Sequence, residues 1–213
     1  DRYLHPFPAC LLTDPRWPFE RSRPEPVEPS PSVEVPPWLA SFGSTRPAVY
    51  VTFGTERAAA DAPWSALLEA IGDREIDALV TTGAHADVGA FGQLPGNVRV
   101  ERYVPQSQVL GRVAAVLSHA GAGTMLGAAG AGVPQVVVPL FADQWDNADA
   151  IASVGAAMLC EEDERTAASL GSALDGVLLD ERCRTAAAIV AREMGEMPTA
   201  AAHVPALEAL ARS

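Results

Sequence analysis

From residue 48 to about residue 195, short continuous apolar runs alternate with longer stretches whose apolar positions recur at helical spacing. Ala48-Val49-Tyr50-Val51-Thr52-Phe53 is rich in β-branched and aromatic residues and is closed by Gly54-Thr55, which predicts a strand. Residues 63–71 carry a proline in the first turn and apolar side chains at helical intervals, which predicts a helix. The same reading predicts strands over 77–83, 97–101, 113–117, 135–138 and 156–159. It predicts helices over 107–112, 144–154, 168–179, 181–194 and 204–211. Strands alternating with helices across short loops predict an α/β domain on a doubly wound, parallel, Rossmann-like sheet.

Residues 1–47 break that pattern. They hold 11 of the chain's 18 prolines, a density that removes backbone donors and keeps the chain extended. Trp17, Phe19 and Trp38 make the segment too apolar for a free linker. It reads as a strap that packs on a domain surface and leads in from something upstream. The expected organisation is a strap over 1–47, an α/β domain over 48–195 and a terminal helix over 196–213.

Composition narrows the partners. A net charge of −12 argues against a nucleic-acid backbone or an anionic membrane. No apolar run approaches the roughly 20 residues of a membrane span, and the first residues do not resemble a signal peptide. Cys10, Cys160 and Cys183 are odd in number and lack metal spacing, which fits free thiols in a reducing cytoplasm. No metal or cofactor is expected.

The densest chemistry lies at Leu117-Ser118-His119-Ala120-Gly121-Ala122-Gly123-Thr124. An apolar strand turning through glycines into a helix presents free N–H groups and the positive end of a helix dipole, which is an anion site. Gly121 and Gly123 admit a close backbone approach, and Thr124 is placed to cap the helix or to reach a phosphate oxygen. A plain strand-to-helix turn around a satisfied histidine fits this stretch as well. The glycine spacing is not that of a dinucleotide fingerprint. Three further stretches fall at strand ends: 52–55, 103–106 and 141–147. In a parallel sheet all four share one edge, and they offer an aromatic for a base, donors for phosphates and an Asp-Gln pair for hydroxyls. Together they describe a nucleotide-sugar site.

The order Arg102-Tyr103-Val104-Pro105-Gln106, His119–Thr124, Gly132–Pro139 and Ala142-Asp143-Gln144 resembles the donor-binding signature of inverting GT-B glycosyltransferases. Within them it is similar to the actinobacterial branch that decorates antibiotics and related natural products. Val49–Thr55 is similar to the opening of that family's C-terminal domain. The resemblance implies that this chain is the C-terminal, donor-binding half of a GT-B fold. It implies that Tyr103 stacks on the base, where the family often has Trp, while Val104 and Gln106 lie at the nucleoside. Gly54, Thr55, His119, Gly121, Ala122, Gly123 and Thr124 would hold the diphosphate. Asp143 and Gln144 would meet donor-sugar hydroxyls. Asn147 follows that pair on a helix and is a further candidate for the sugar, though helix capping fits it equally.

Relatives using UDP-sugars commonly carry Glu eight residues after the motif histidine to accept from the ribose diol; here that position is Gly127. The departure favours a dTDP-sugar, often a deoxysugar. The resemblance further implies metal-independent transfer with inversion to a hydroxyl of a hydrophobic natural product. The acceptor and the general base, usually a histidine, would be supplied by an N-terminal domain, so no catalytic residue is assigned in this chain and the chain alone is expected to be inactive. A UDP-sugar transferase of the same fold and a non-catalytic nucleotide-sugar-binding module stay open.

Overall fold

The computed structural model describes residues 3–12, 19–25, 35–54, 62–83 and 91–212. Its centre is a six-stranded, wholly parallel sheet of β3 (Ala48–Thr52), β4 (Asp77–Thr81), β5 (Val98–Glu101), β6 (Ala115–Ser118), β7 (Gln135–Val137) and β8 (Ala157–Leu159). The strands lie in the order β5-β4-β3-β6-β7-β8. Chain order therefore runs outward from β3 in one direction and, after β5, outward from β6 in the other. The reversal between β3 and β6 leaves a crevice at their carboxyl ends, where open α/β sheets bind ligands. β3, β6 and β7 are buried at every position, which explains their continuous apolar runs.

The helices are α1 (Trp64–Gly72), α2 (Gln106–Val109), α3 (Ala122–Gly130), α4 (Gln144–Ser153), α5 (Ala167–Leu179), α6 (Glu181–Glu196) and α7 (Ala200–Ala211). One face of the sheet packs against α1 and α5, with Val49, Val51, Leu117, Val136, Leu67, Ile71, Leu170 and Leu174 buried together. Cys160 and Cys183 lie in the same cluster as free thiols. α3, α4 and α6 enclose a second core around Met125, Ile151, Val190 and Met194. Each such side chain removed from water contributes about 1.5–3 kcal/mol. Arg74 ties α1 to α5 through two 2.8 Å bonds to Asp175, and its guanidinium lies over Gly171, where a Cβ would collide with it. Asn97 closes the approach to β5 by donating to the carbonyls of Ile71, Arg74 and Ile76.

The described parts of the proline-dense segment pack on this domain. β1 (Tyr3–His5) and β2 (Phe19–Arg21) form a parallel pair of three residues each, which the sequence reading does not foresee. Leu11 is buried in the α3–α6 core, and Leu39 is buried beside Tyr50, Leu79 and Val116. Glu193 of α6 anchors the first part: its Oε1 accepts from Ala9 N at 2.6 Å, Cys10 N at 3.3 Å and Arg21 Nη1 at 3.3 Å. Arg23 N donates to Pro198 O at 2.7 Å, between α6 and α7. Trp17 and His85 lie outside the described residues.

The helices at 107–112 and 204–211 depart furthest from expectation. The segment 107–112 is one α-turn, α2, followed by a 3-10 turn at Leu110–Arg112. Helix α7 begins at Ala200 rather than 204, so Pro205, which reads as a first-turn residue, lies inside it, and the added turn carries the buried His203.

Candidate functional site

Parallel pairing brings the predicted stretches to one edge. In the β3–β6 register Thr52 is opposite Ser118, so the turns that follow, Phe53-Gly54 and His119-Ala120-Gly121, face each other across the crevice. Gly54 has φ +79° and its N–H donates to Thr52 Oγ1 at 3.3 Å, which folds the backbone back at the strand end. Thr55 lies outside the described residues.

His119 sits in the cleft so formed, 9% exposed. An added Cβ on Gly54 would lie 3.1 Å from His119 Cε1, and one on Gly121 would collide with Nε2. The imidazole is thus held between two glycines, with Phe53 beneath it at 6.4 Å between ring centres. Its Nδ1 is buried and has no hydrogen-bond partner among the described residues. Burial pushes the His119 pKa below its ordinary value; the Thr52 carbonyl and the Asp143 carboxylate act the other way and do not overcome it. The shift favours the uncharged ring, in which one nitrogen is a donor and the other an acceptor.

Gly121 is the N-cap of α3 and has no side chain to offer, and the first helical bond runs from Met125 N to Gly121 O. The N–H groups of Ala122, Gly123 and Thr124 therefore have no partner inside the helix. Thr124 lies inside the first turn, so the expectation that it caps the helix is corrected: the cap position belongs to Gly121. A Cβ on Gly123 would meet nothing within 4 Å, so the ground above this turn is open. Ala120 holds the turn in the left-handed region at φ +60°, and its N–H donates to Ser118 Oγ at 3.2 Å.

The loop after β7 forms the next wall. Ala142 is left-handed at φ +57°. Gln144 Oε1 accepts from Leu140 N at 2.8 Å and Phe141 N at 3.2 Å, so a contact from Gln144 to a ligand would run through Nε2. Arg165 pins the loop from the other side, donating from Nη2 to Pro139 O at 2.7 Å. No local pattern signals this contact, since Arg165 follows an acidic run. Asp143 is exposed at the start of α4. Asn147 is 5% exposed, and its Nδ2 donates to Ala120 O at 3.0 Å and to Asp143 Oδ2 at 3.2 Å.

After β5, Tyr103 stands 60% exposed and Val104 is buried at 2%. Gln106 Nε2 donates to Thr124 O at 3.2 Å and lies 2.5 Å from where a Gly127 Cβ would be. The space a side chain at position 127 would use is taken by that carboxamide. Tyr103, Val104 and Gln106 lie beside α3, while His119, Gly54 and the α3 N-terminus form the middle and Asp143 and Gln144 the far wall. Among the described residues no helix is long and apolar enough to cross a membrane.

Comparison with known proteins shows the family. The family described as "Erythromycin biosynthesis protein CIII-like, C-terminal domain" matches residues 65–210. L-demethylnoviosyl transferase of Streptomyces niveus is 34% identical over 186 residues, covering 84% of this chain and 48% of that protein. The glycosyltransferase SnogD of Streptomyces nogalater has a solved structure that superposes with a TM-score of 0.83 at 30% identity, covering 98% of this chain and 56% of that one. A spinosyn rhamnosyltransferase, SpnG, solved with thymidine diphosphate, superposes with a TM-score of 0.87 at 26% identity over 96% of this chain and 56% of its own. The chain spans about half the length of the curated relatives it matches. It therefore belongs to the erythromycin biosynthesis protein CIII-like C-terminal domain family: its homologues are glycosyltransferases of antibiotic pathways, and it has the architecture of the C-terminal half of their GT-B fold.

Proposed function

We propose that this chain is the donor-binding half of a metal-independent, inverting glycosyltransferase that uses a dTDP-sugar, commonly a deoxysugar, and a hydrophobic natural-product acceptor. In this reading residues 1–47 are the strap to an N-terminal acceptor domain, 48–195 bind the nucleotide-sugar, and 196–213 are a terminal helix. The single observation that carries it is the buried His119 imidazole, its Nδ1 unpartnered, beside the uncapped N-terminus of α3 at the β3–β6 reversal.

The chemistry follows from that placement. The acceptor oxygen attacks the anomeric carbon from the face opposite the diphosphate, the carbon–phosphate-oxygen bond breaks, and the configuration inverts. The acceptor's proton goes to a general base outside this chain. Charge grows on the departing diphosphate, where His119 N–H and the N–H groups of Ala122, Gly123 and Thr124 are preorganised to receive it without a metal. Thr55 and Gly54 would border the diphosphate, Tyr103 would stack on the base, Val104 and Gln106 would flank the nucleoside, and Asp143 with Gln144 Nε2 would take sugar hydroxyls. SpnG, solved with thymidine diphosphate, supports the choice of nucleotide. Buried free cysteines suit a cytoplasmic enzyme.

A UDP-sugar reading has one observation in its favour: the Gln106 carboxamide beside Gly127 could turn its oxygen toward a ribose hydroxyl. Calorimetric titration of dTDP and UDP against the protein separates the two. A buried hydroxyl without a partner costs about 1–3 kcal/mol, so dTDP should bind roughly tenfold more tightly. A UDP preference that disappears in Gln106→Ala would replace the dTDP reading. Failure to bind either nucleotide would overturn the site.

A further inference from the structure

Beyond the end of the β6–β7 ladder, two loops that must cooperate have little in common. The last backbone rung runs from Val138 N to Ser118 O at 2.8 Å. Past it, one loop carries His119 and the turn into α3, and the other carries Asp143. Among the described residues, the hydrogen bonds that reconnect them converge on one amide nitrogen, Asn147 Nδ2, which donates to Ala120 O and to Asp143 Oδ2. Asn147 is buried in the first turn of α4, and its own N–H donates to Asp143 O at 3.0 Å, so its position is set by the helix. On the other side it grips Ala120, a residue already held at φ +60° between His119 and Gly121.

We propose that Asn147 is a positioning residue that locks the diphosphate loop to the sugar-binding carboxylate, fixing the spacing between the diphosphate and sugar subsites. The proposal rests on the site reading above and changes the part given to Asn147, from a sugar ligand to a group acting through Asp143 and Ala120. A carboxamide suits the task chemically. Its planar nitrogen carries two N–H donors, one for a carbonyl and one for a carboxylate, without adding charge beside Asp143. Serine has one donor, and ionised aspartate has none and would repel Asp143.

The test compares affinity for dTDP with affinity for dTDP-glucose in wild type, Asn147→Ala and Asn147→Asp, alongside melting temperature. In Asn147→Ala the extra affinity contributed by the sugar should fall at least fivefold, while dTDP binding changes less than about threefold. Asn147→Asp is isosteric, and its acidic group suits a helix N-terminus, so it provides a folded comparison should the alanine variant unfold. Relative to wild type at each pH, its sugar increment should recover as pH falls from 8 to 5, because the protonated carboxyl regains one donor; Asn147→Ala should show no such recovery. The proposal is overturned if both variants retain the sugar increment, if dTDP and dTDP-glucose weaken equally, or if the aspartate variant shows no pH recovery. Wild type binding neither ligand would overturn the site reading instead.

Discussion

The His119 imidazole occupies the place a side chain on Gly121 would need: a Cβ there would run into Nε2. The glycine is required by the histidine, two residues before it, and not only by a ligand. Gly123, two residues further on, has open space above it. The two glycines of one turn thus have different reasons to be glycine, and the difference can be measured.

Gly121→Ala should displace the imidazole and weaken dTDP binding by tenfold or more, since a hydrogen bond to a charged group is worth about 1.5–3 kcal/mol. Gly123→Ala should raise the melting temperature, because alanine is favoured over glycine inside a helix by about 0.8–1.0 kcal/mol. If Gly123→Ala is more stable yet binds dTDP less well, the ligand lies over that residue. Calorimetry and thermal unfolding of the two variants together make the comparison.

The buried histidine also leaves a signature in pH. Its folded pKa is below the ordinary 6.5, so below about that pH the unfolded chain binds a proton that the folded chain resists. The contribution to stability is complete above the unfolded pKa and is lost as pH falls through the folded one. Wild type should therefore lose more stability between pH 7.5 and pH 5.5 than His119→Gln, in denaturant titrations at both pH values. An identical slope for the two would mean His119 does not resist protonation.

Ala142 is exposed and left-handed at φ +57°, with no packing to lose. The left-handed conformation costs a non-glycine residue roughly 1–2 kcal/mol, against the roughly 0.5–1 kcal/mol that glycine's freedom in the unfolded chain costs. Ala142→Gly should be stabilising by about 0.5–1 kcal/mol in urea unfolding. A destabilised variant would show that the turn is held by something its backbone angles do not reveal.

Glu193 controls how the strap is held. Burial works against its ionisation, but the hydrogen bonds from Cys10 and Ala9 and the charge of Arg21 outweigh it and lower its pKa. Burial, together with the same carboxylate, pushes the Cys10 thiol up to about 12. Glu193→Ala should speed hydrogen exchange at the amides of Ala9 and Cys10 and leave β3 and β6 protected. In wild type the same release should develop as pH falls through the carboxylate's folded pKa. Exchange unchanged at Ala9 and Cys10 would assign the anchoring to the buried Leu11 and the Arg23–Pro198 bond instead.

Much of this was legible along the chain because the relevant forces are local. Ala48–Thr52 and Gln135–Val137 are strands buried on both faces, and such strands read as unbroken apolar runs. Glycine-rich turns after β3 and β6 mark themselves, and parallel alternation is enough to bring all four loops to one edge. β1 and β2 were hidden, since three-residue strands between prolines have no period to detect and are held by Glu193 and Pro198 from the far end of the chain. The first turn of α7 was hidden by Pro205, which reads as the start of a helix and here lies inside one.

The amino-acid order alone thus determined the class of fold, the edge at which the candidate site residues gather and their types, because periodicity and turn chemistry act within a few residues. What each side chain does there was decided by tertiary structure. Gln106 fills the space beside Gly127 across 21 positions, Asn147 reaches back 27 residues to Ala120, and Arg165 holds Pro139 from the next loop. These are contacts between segments brought together only when the sheet forms. A hydrogen bond's partner is set by distance in space, and spacing along the chain carries no record of it.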